Sequence, residues 1–297
     1  MDWMRYRKIY FLLSFLVIGV GIISLSKWRL RLGLDFTGGT IAEYKFTKEI
    51  NTDEVEKGIK EKGLNLSSIE KIDEKYLIRL APIEGKDKET LEKSLQDALG
   101  DGSFEELRFE TVGPSIGPEL IKKTIYAIII AASSIMIWVA YQFKSLKYGV
   151  SAILAMFHDS LVVFGLFSIL GHFFGAEIDF LFVTALLTIL SFSVHDTIVV
   201  YDRIRELQKK LGGDFYSLVN NALTETMVRS LNNSFTIIFM LLALILLGGT
   251  TIRWFAVALF VGTISGTYSS PFVAVPLLLA WDSVMTKIKP LKLVRKK

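Results

Sequence analysis

The chain has 297 residues, 51% of them hydrophobic, and a mean hydropathy of +0.44. Soluble domains do not reach that balance, and stretches of about 20 apolar residues signal membrane spans. The net charge of +4 gives no case for nucleic-acid binding, and the lack of cysteine excludes disulfides, thiolate metal sites and cysteine nucleophiles.

The first apolar run is Ile9–Leu25, behind Arg5, Arg7 and Lys8. A basic flank and an apolar core also describe a signal peptide, and Ser24-Leu25-Ser26 is a weak cleavage site. The run is longer than a usual signal core, so it is read as an uncleaved anchor. The polar segment from Lys27 to about Lys123 alternates strand-like and helix-like patterns. Strands are expected at Ile41–Phe46, Tyr76–Leu80 and Phe104–Thr111. Helices are expected at Thr52–Lys62, with Val55 and Ile59 four apart, and at Lys88–Leu99, with Leu91, Leu95 and Leu99 on one stripe. That order suits a small α+β domain of the split βαβ kind. Gly33-Leu34-Asp35-Phe36-Thr37-Gly38-Gly39-Thr40 opens it as a strand-entry turn, its paired glycines supplying unusual backbone angles. Val112–Leu120, with Gly113, Pro114 and Pro118, is a connector into the second span.

Five more apolar runs follow: Ile121–Phe143, Tyr148–Leu170, Phe180–Tyr201, Phe235–Leu247 and Phe255–Ala280. The fifth of the six runs is short and is expected to extend back through Asn232 and Asn233. The last contains Pro271 and Pro276, which predicts a kink or an amphipathic tail. The expected divisions are an N-terminus and first span (1–26), an α+β domain (27–120), five further helices (121–285) and a basic tail (286–297). Basic residues gather at the N-terminus, at Lys144 and Lys147, at Arg203, Arg205, Lys209, Lys210 and Arg229, and in the tail. With six crossings these share one side. The positive-inside rule then places both termini in the cytoplasm and the domain outside. No HExxH, GxSxG or phosphate-cradling GxxxxGK[ST] occurs, so energy for work must come from a partner ATPase or an ion gradient.

The fourth span carries the chemistry. A carboxylate within a span costs about 2.5–3.5 kcal/mol on insertion scales, and such a residue normally turns inward, pairs and belongs to an ion or proton path. Asp196 is such a residue; the plain alternative is a carboxylate that only bonds neighbouring helices. Thr184, Thr188, Ser191 and His195 share one helical stripe, with Ser193, Asp196 and Thr197 beside it. A half-polar span cannot face lipid, so other helices or a wet cavity should cover it. His195 suits a proton relay near neutral pH, or a structural role. The third span holds His158 and Asp159, the latter about 18 Å inward from Lys147 at 1.5 Å per residue. The fifth begins at Arg229, followed one turn apart by Asn232, Asn233 and Thr236. Arg229 either meets Asp196 or Asp159, or snorkels to the headgroups. Gly262 and Gly266, four apart in the last span, read as packing. No residue set suggests a metal or cofactor.

Leu34–Gly39, Val112-Gly113-Pro114 with Gly117, and Asp196–Glu206 together resemble the signature segments of the SecD/SecF family, and the resemblance covers essentially the whole chain. It implies a polytopic α-helical membrane protein with six transmembrane helices and one extracytoplasmic, ferredoxin-like α+β domain in the first loop. It implies a non-enzymatic accessory subunit of protein export, partnered by SecD, acting with SecYEG on an unfolded translocating polypeptide. It implies the cytoplasmic membrane as location and proton flow as the energy source. The family's important acidic residue falls on Asp196 and its arginine on Arg229. Asp35, Phe36, Thr37, Gly38, Gly39, Gly113, Pro114, Asp202 and Arg203 fall on structural motif positions. The family usually has asparagine where this chain has His195. Two other readings stay open: a stand-alone proton-coupled small-molecule transporter of the RND type, which normally needs two such bundles, and a purely structural assembly subunit.

Overall fold

The computed structural model describes residues 1–47, 51–72, 74–99 and 103–288. The tail expected at 286–297 therefore lies outside the described residues from 289 on. The chain divides into two compact units, one of Met1–Arg31 with the chain from Tyr126 onward, the other Leu32–Ile125.

The smaller unit begins with a single helical turn, α2 (Leu34–Thr37), followed by β1 (Gly39–Phe46), α3 (Thr52–Glu61), β2 (Leu66–Ile72), β3 (Lys75–Leu80), α4 (Lys86–Leu99) and β4 (Phe104–Val112). The sheet order β2-β3-β1-β4, antiparallel throughout, is the split βαβ arrangement. Asn51 caps α3 by accepting from the Asp53 N–H at 3.1 Å. Val55 and Ile59 of α3 and Leu91 and Leu95 of α4 bury against Ala42, Tyr44, Ile78 and Leu80. Strand β2 is absent from the sequence expectations. Its apolar residues Leu66, Ile69 and Ile72 fall three apart rather than alternating, and a register shift between Leu66 and Ser68 accounts for the first of these intervals.

Tight glycine geometry fixes the entry to β1. Gly38 and Gly39 have φ of +68° and +121°, and a Cβ on Gly39 would lie 2.8 Å from the Leu80 carbonyl oxygen. A Cβ on Gly117 would lie 2.5 Å from the Phe36 carbonyl oxygen. Only glycine tolerates these positions. The Asp35–Gly39 motif and the Gly113–Pro114 connector thus pack together, with the Gly113 carbonyl oxygen 3.5 Å from the Cβ position of Gly38.

Among the described residues six helical segments are long and apolar enough to cross a membrane: Trp3–Trp28, Ile116–Gln142, Leu146–Phe174, Phe180–Leu211, Phe215–Leu247 and Thr251–Val284. The first joins a 3₁₀ turn (Trp3–Tyr6) to α1 (Arg7–Trp28). Helix α5 (Ile116–Gln142) leads into α6 (Leu146–Phe174), α7 (Phe180–Leu211) and α8 (Phe215–Leu247). Asp179 caps α7 through the Phe182 N–H at 2.7 Å, and Asp214 caps α8 through the Ser217 N–H at 3.1 Å. Helix α8 starts twenty residues before its apolar run, because Leu218, Val219, Ala222 and Leu223 already pack into the core. The last span is α9 (Thr250–Ser269), a π-helical turn (Ser270–Ala274) and α10 (Val275–Ile288). Pro271 has no N–H to give to the helix ladder, and the wider turn absorbs that loss.

Candidate functional site

The two intramembrane carboxylates sit on adjacent helices in different surroundings. Asp159 of α6 is fully buried. Its Oδ2 accepts from Ser193 Oγ of α7 at 2.6 Å and from Ser269 Oγ of α9 at 2.7 Å. Its Oδ1 accepts from Ser265 Oγ at 2.6 Å and lies 3.1 Å from His158 Nδ1. The carboxyl thus ties α6, α7 and α9 together. His158 Nε2 is buried without a hydrogen-bond partner among the described residues.

Asp196 of α7, 3% exposed, faces α8 instead. Ser230 Oγ donates to its Oδ2 at 2.8 Å, and the Asn233 side chain faces the same carboxyl. The neighbouring polar seam is closed by hydroxyls. Thr197 Oγ1 lies 2.9 Å from Ser270 Oγ, which itself donates to the Ser193 carbonyl at 3.2 Å. The π-turn at Ser270 is what brings this serine to α7. Helix approach is close because glycines face α7: a Cβ on Gly266 would stand 3.2 Å from Ser193 Cβ.

The expected stripe Thr184, Thr188, Ser191 and His195 is exposed along α7; no helix among the described residues covers it. The hydroxyls of Thr184 and Thr188 bond back to the carbonyls of Phe180 and Thr184 at 3.0 and 2.8 Å. On α8, Arg229, Asn232, Asn233 and Thr236 are exposed as well. Asp196 therefore lies just beneath a polar face in a surface otherwise composed for lipid.

Arg229 forms no ion pair with a described residue, and Asp196 is held by Ser230 in its place. The arginine lines a cavity of about 660 Å³ with Asp202, Arg203, Glu206 and Glu225. Arg203 there is held by Glu225 and Glu206. Ser230 and Ser265, donors to the two carboxylates, escaped the sequence reading. Ser265 and Ser269, one turn apart on α9, were the available signal. No group of acidic and histidine side chains suited to a metal occurs among the described residues.

Two family descriptions match the chain: "Protein export membrane protein SecD/SecF, C-terminal" over residues 90–284 and "SecD/SecF GG Motif" over residues 24–50. The protein translocase subunit SecF of Thermobaculum terrenum is 44% identical over 95% of this chain and 94% of its own. The protein translocase subunit SecDF of Bacillus subtilis is 34% identical over 94% of this chain but 38% of its own. The crystal structure of SecDF from Thermus thermophilus, a translocon-associated membrane protein, superposes with a TM-score of 0.82 at 32% identity, covering 95% of this chain and 39% of that one. This chain thus spans about two-fifths of the SecDF chains it matches.

Proposed function

The chain belongs to the SecD/SecF family of protein-export membrane proteins, and from that we propose a non-enzymatic accessory subunit of Sec translocation that uses proton flow to promote export. It is a multi-pass membrane protein with six spans. Its partner in this reading is a SecD bundle, and the pair acts beside SecYEG on an unfolded polypeptide in the cytoplasmic membrane. Both termini lie in the cytoplasm, as the one-sided distribution of lysine and arginine favours.

The observation that carries the reading is the exposed polar face of α7 and α8 over the buried Asp196. Hydroxyls, amides, an imidazole and a guanidinium in a lipid-facing position are costly, so a second protein surface should cover them. SecDF relatives, in which more than half of the chain lies outside the region matched here, support a second bundle as that cover. Proton exchange at Asp196 then changes its bond to Ser230, beneath the face that the partner covers. A proton biases such a machine only if two arrangements bind it unequally. His195, on the same face, stands where it would meet the partner, and Asp159 holds the helices against which Asp196 moves.

Affinity purification of this chain from native membranes should bring down a second six-span chain. Export into inverted vesicles should slow when this chain is removed, and the added benefit should vanish with a protonophore. Purification as a lone bundle, with export indifferent to the proton gradient, would sink the proposal.

A further inference from the structure

Where α5 turns into α6, the bundle holds a second charged cavity, of about 310 Å³, apart from Asp159 and Asp196. Lys147 of α6 and Arg205 and Lys209 of α7 line it, and no carboxylate among the described residues does. Phe143 and Tyr148 form its wall. The Arg205 guanidinium lies 5.9 Å from the Phe143 ring and is anchored to the Gln142 carbonyl at 2.8 Å, which leaves further N–H donors open. Lys147 Nζ is fixed by Asp282 Oδ1 at 2.8 Å and stands 4.8 Å from the Phe215 ring. Lys209 is exposed and forms no ion pair with a described residue. Ser145, which precedes α6 without a side-chain cap, lines the same wall, so the cavity adjoins the N-terminus of that helix. Three cations and a helix N-terminus, gathered at the end of a membrane span, suit a phosphate.

A second feature decides what carries the phosphate. One turn further along α6, about 6 Å into the membrane at 1.5 Å per residue, Ser151 opens an apolar groove of about 350 Å³ between α6 and α10. Leu154, Leu277, Trp281 and Val284 line it. Ser151 spends its hydroxyl on the Lys147 carbonyl, so the groove offers hydrocarbon. Exposed Trp138, Tyr141 and Trp281 are placed as an interfacial aromatic belt would be. A soluble phosphate has no use for such a groove; an acyl chain does.

We propose that Lys147, Arg205 and Lys209 bind the phosphate of an anionic phospholipid whose acyl chain lies in the α6–α10 groove. The site is separate from the carboxylates and requires only that the chain be membrane-embedded. The lipid joins α6, α7 and α10, so it braces one end of the bundle.

Native mass spectrometry of the full-length chain in mild detergent tests this, with phosphatidylglycerol and phosphatidylethanolamine of identical acyl chains. The wild type should retain phosphatidylglycerol preferentially. Lys209→Ala should lower retention about fivefold, and adding Arg205→Gln about fivefold again, as loss of one interfacial charge each implies. Lys210→Ala should change nothing, since Lys210 pairs with Glu206 outside the cavity. Equal retention of both lipids by the wild type, or an equal loss in Lys210→Ala, overturns the site. Millimolar glycerol phosphate should leave the lipid in place; displacement would mean a soluble phosphate ligand and overturn the lipid assignment.

Discussion

Asp159 and Asp196 carry the same functional group but have different freedom. Both oxygens of Asp159 are occupied, by three serine hydroxyls from two other helices and by His158 Nδ1. The carboxyl is thereby one node of a network that joins α6, α7 and α9, and a change to it disturbs several bonds at once. Asp159→Asn puts an amide NH₂ against hydroxyls that already point inward. Each buried donor left unpaired costs about 1–3 kcal/mol, so this variant should melt markedly lower in detergent. Asp196 meets Ser230 and Asn233 at the edge of the exposed polar face. Asp196→Asn keeps the shape and retains a partner in Ser230, so stability should stay within about 1 kcal/mol while proton-dependent export stops. The measurements are a thermal melt and an export assay on each variant. Normal export by Asp196→Asn would make that carboxylate structural, and equal melting of both variants would remove the distinction drawn between them.

Helix seams are set by small residues that hydropathy does not register. Helices α1 and α6 cross at Gly21 and Gly165, where a Cβ on Gly165 would lie 2.5 Å from the Gly21 Cα. One turn along the same seam Ser24 Oγ donates to Ser168 Oγ at 2.8 Å. Gly165→Val should therefore part the helices at a cost of about 1–3 kcal/mol, seen as a lower melting temperature and faster proteolysis; Gly19→Val, whose Cβ meets nothing within 4 Å, is the control. Equal behaviour of the two would remove the seam from the account. The six spans were legible because lipid demands long apolar runs. The seam was not, because Gly21 and Gly165 belong to different runs and only the fold brings them together. The first turns of α8 were hidden by Asn220, Asn221, Thr224 and Glu225, although Leu218, Val219, Ala222 and Leu223 form a helical stripe. Asp196 stood out as a charge in an apolar run, whereas the one-turn spacing of Ser265 and Ser269 was a far weaker signal: a serine on a membrane helix usually bonds its own backbone, as Ser160 does to Met156 at 2.9 Å.

At the scale of the whole molecule, two orders of composition coexist in one chain. The unit of Leu32–Ile125 has a core of its own around Tyr44, Ile59, Ile78 and Leu91, so it can persist in water. The rest follows the rules of lipid, except for the polar face of α7 and α8, which follows neither. A chain that crosses a membrane six times has its first and last ends on one side, and the segment between spans one and two on the other. Arg5, Arg7, Lys144, Arg205, Lys209 and Lys210 fall on the terminal side, which the positive-inside rule assigns to the cytoplasm. Single cysteines introduced at Lys86, on α4, and at Lys209, near the end of α7, report the two sides without interference, because the chain has no cysteine of its own. A membrane-impermeant maleimide should label Lys86→Cys in intact cells whose outer envelope has been permeabilised, and Lys209→Cys only after lysis. Labelling of both before lysis would break the six-crossing topology. Labelling of Lys209→Cys alone would invert it, placing the cavity of Arg229 and Asp202 on the proton-rich side and reversing the direction of the proton exchange proposed for Asp196.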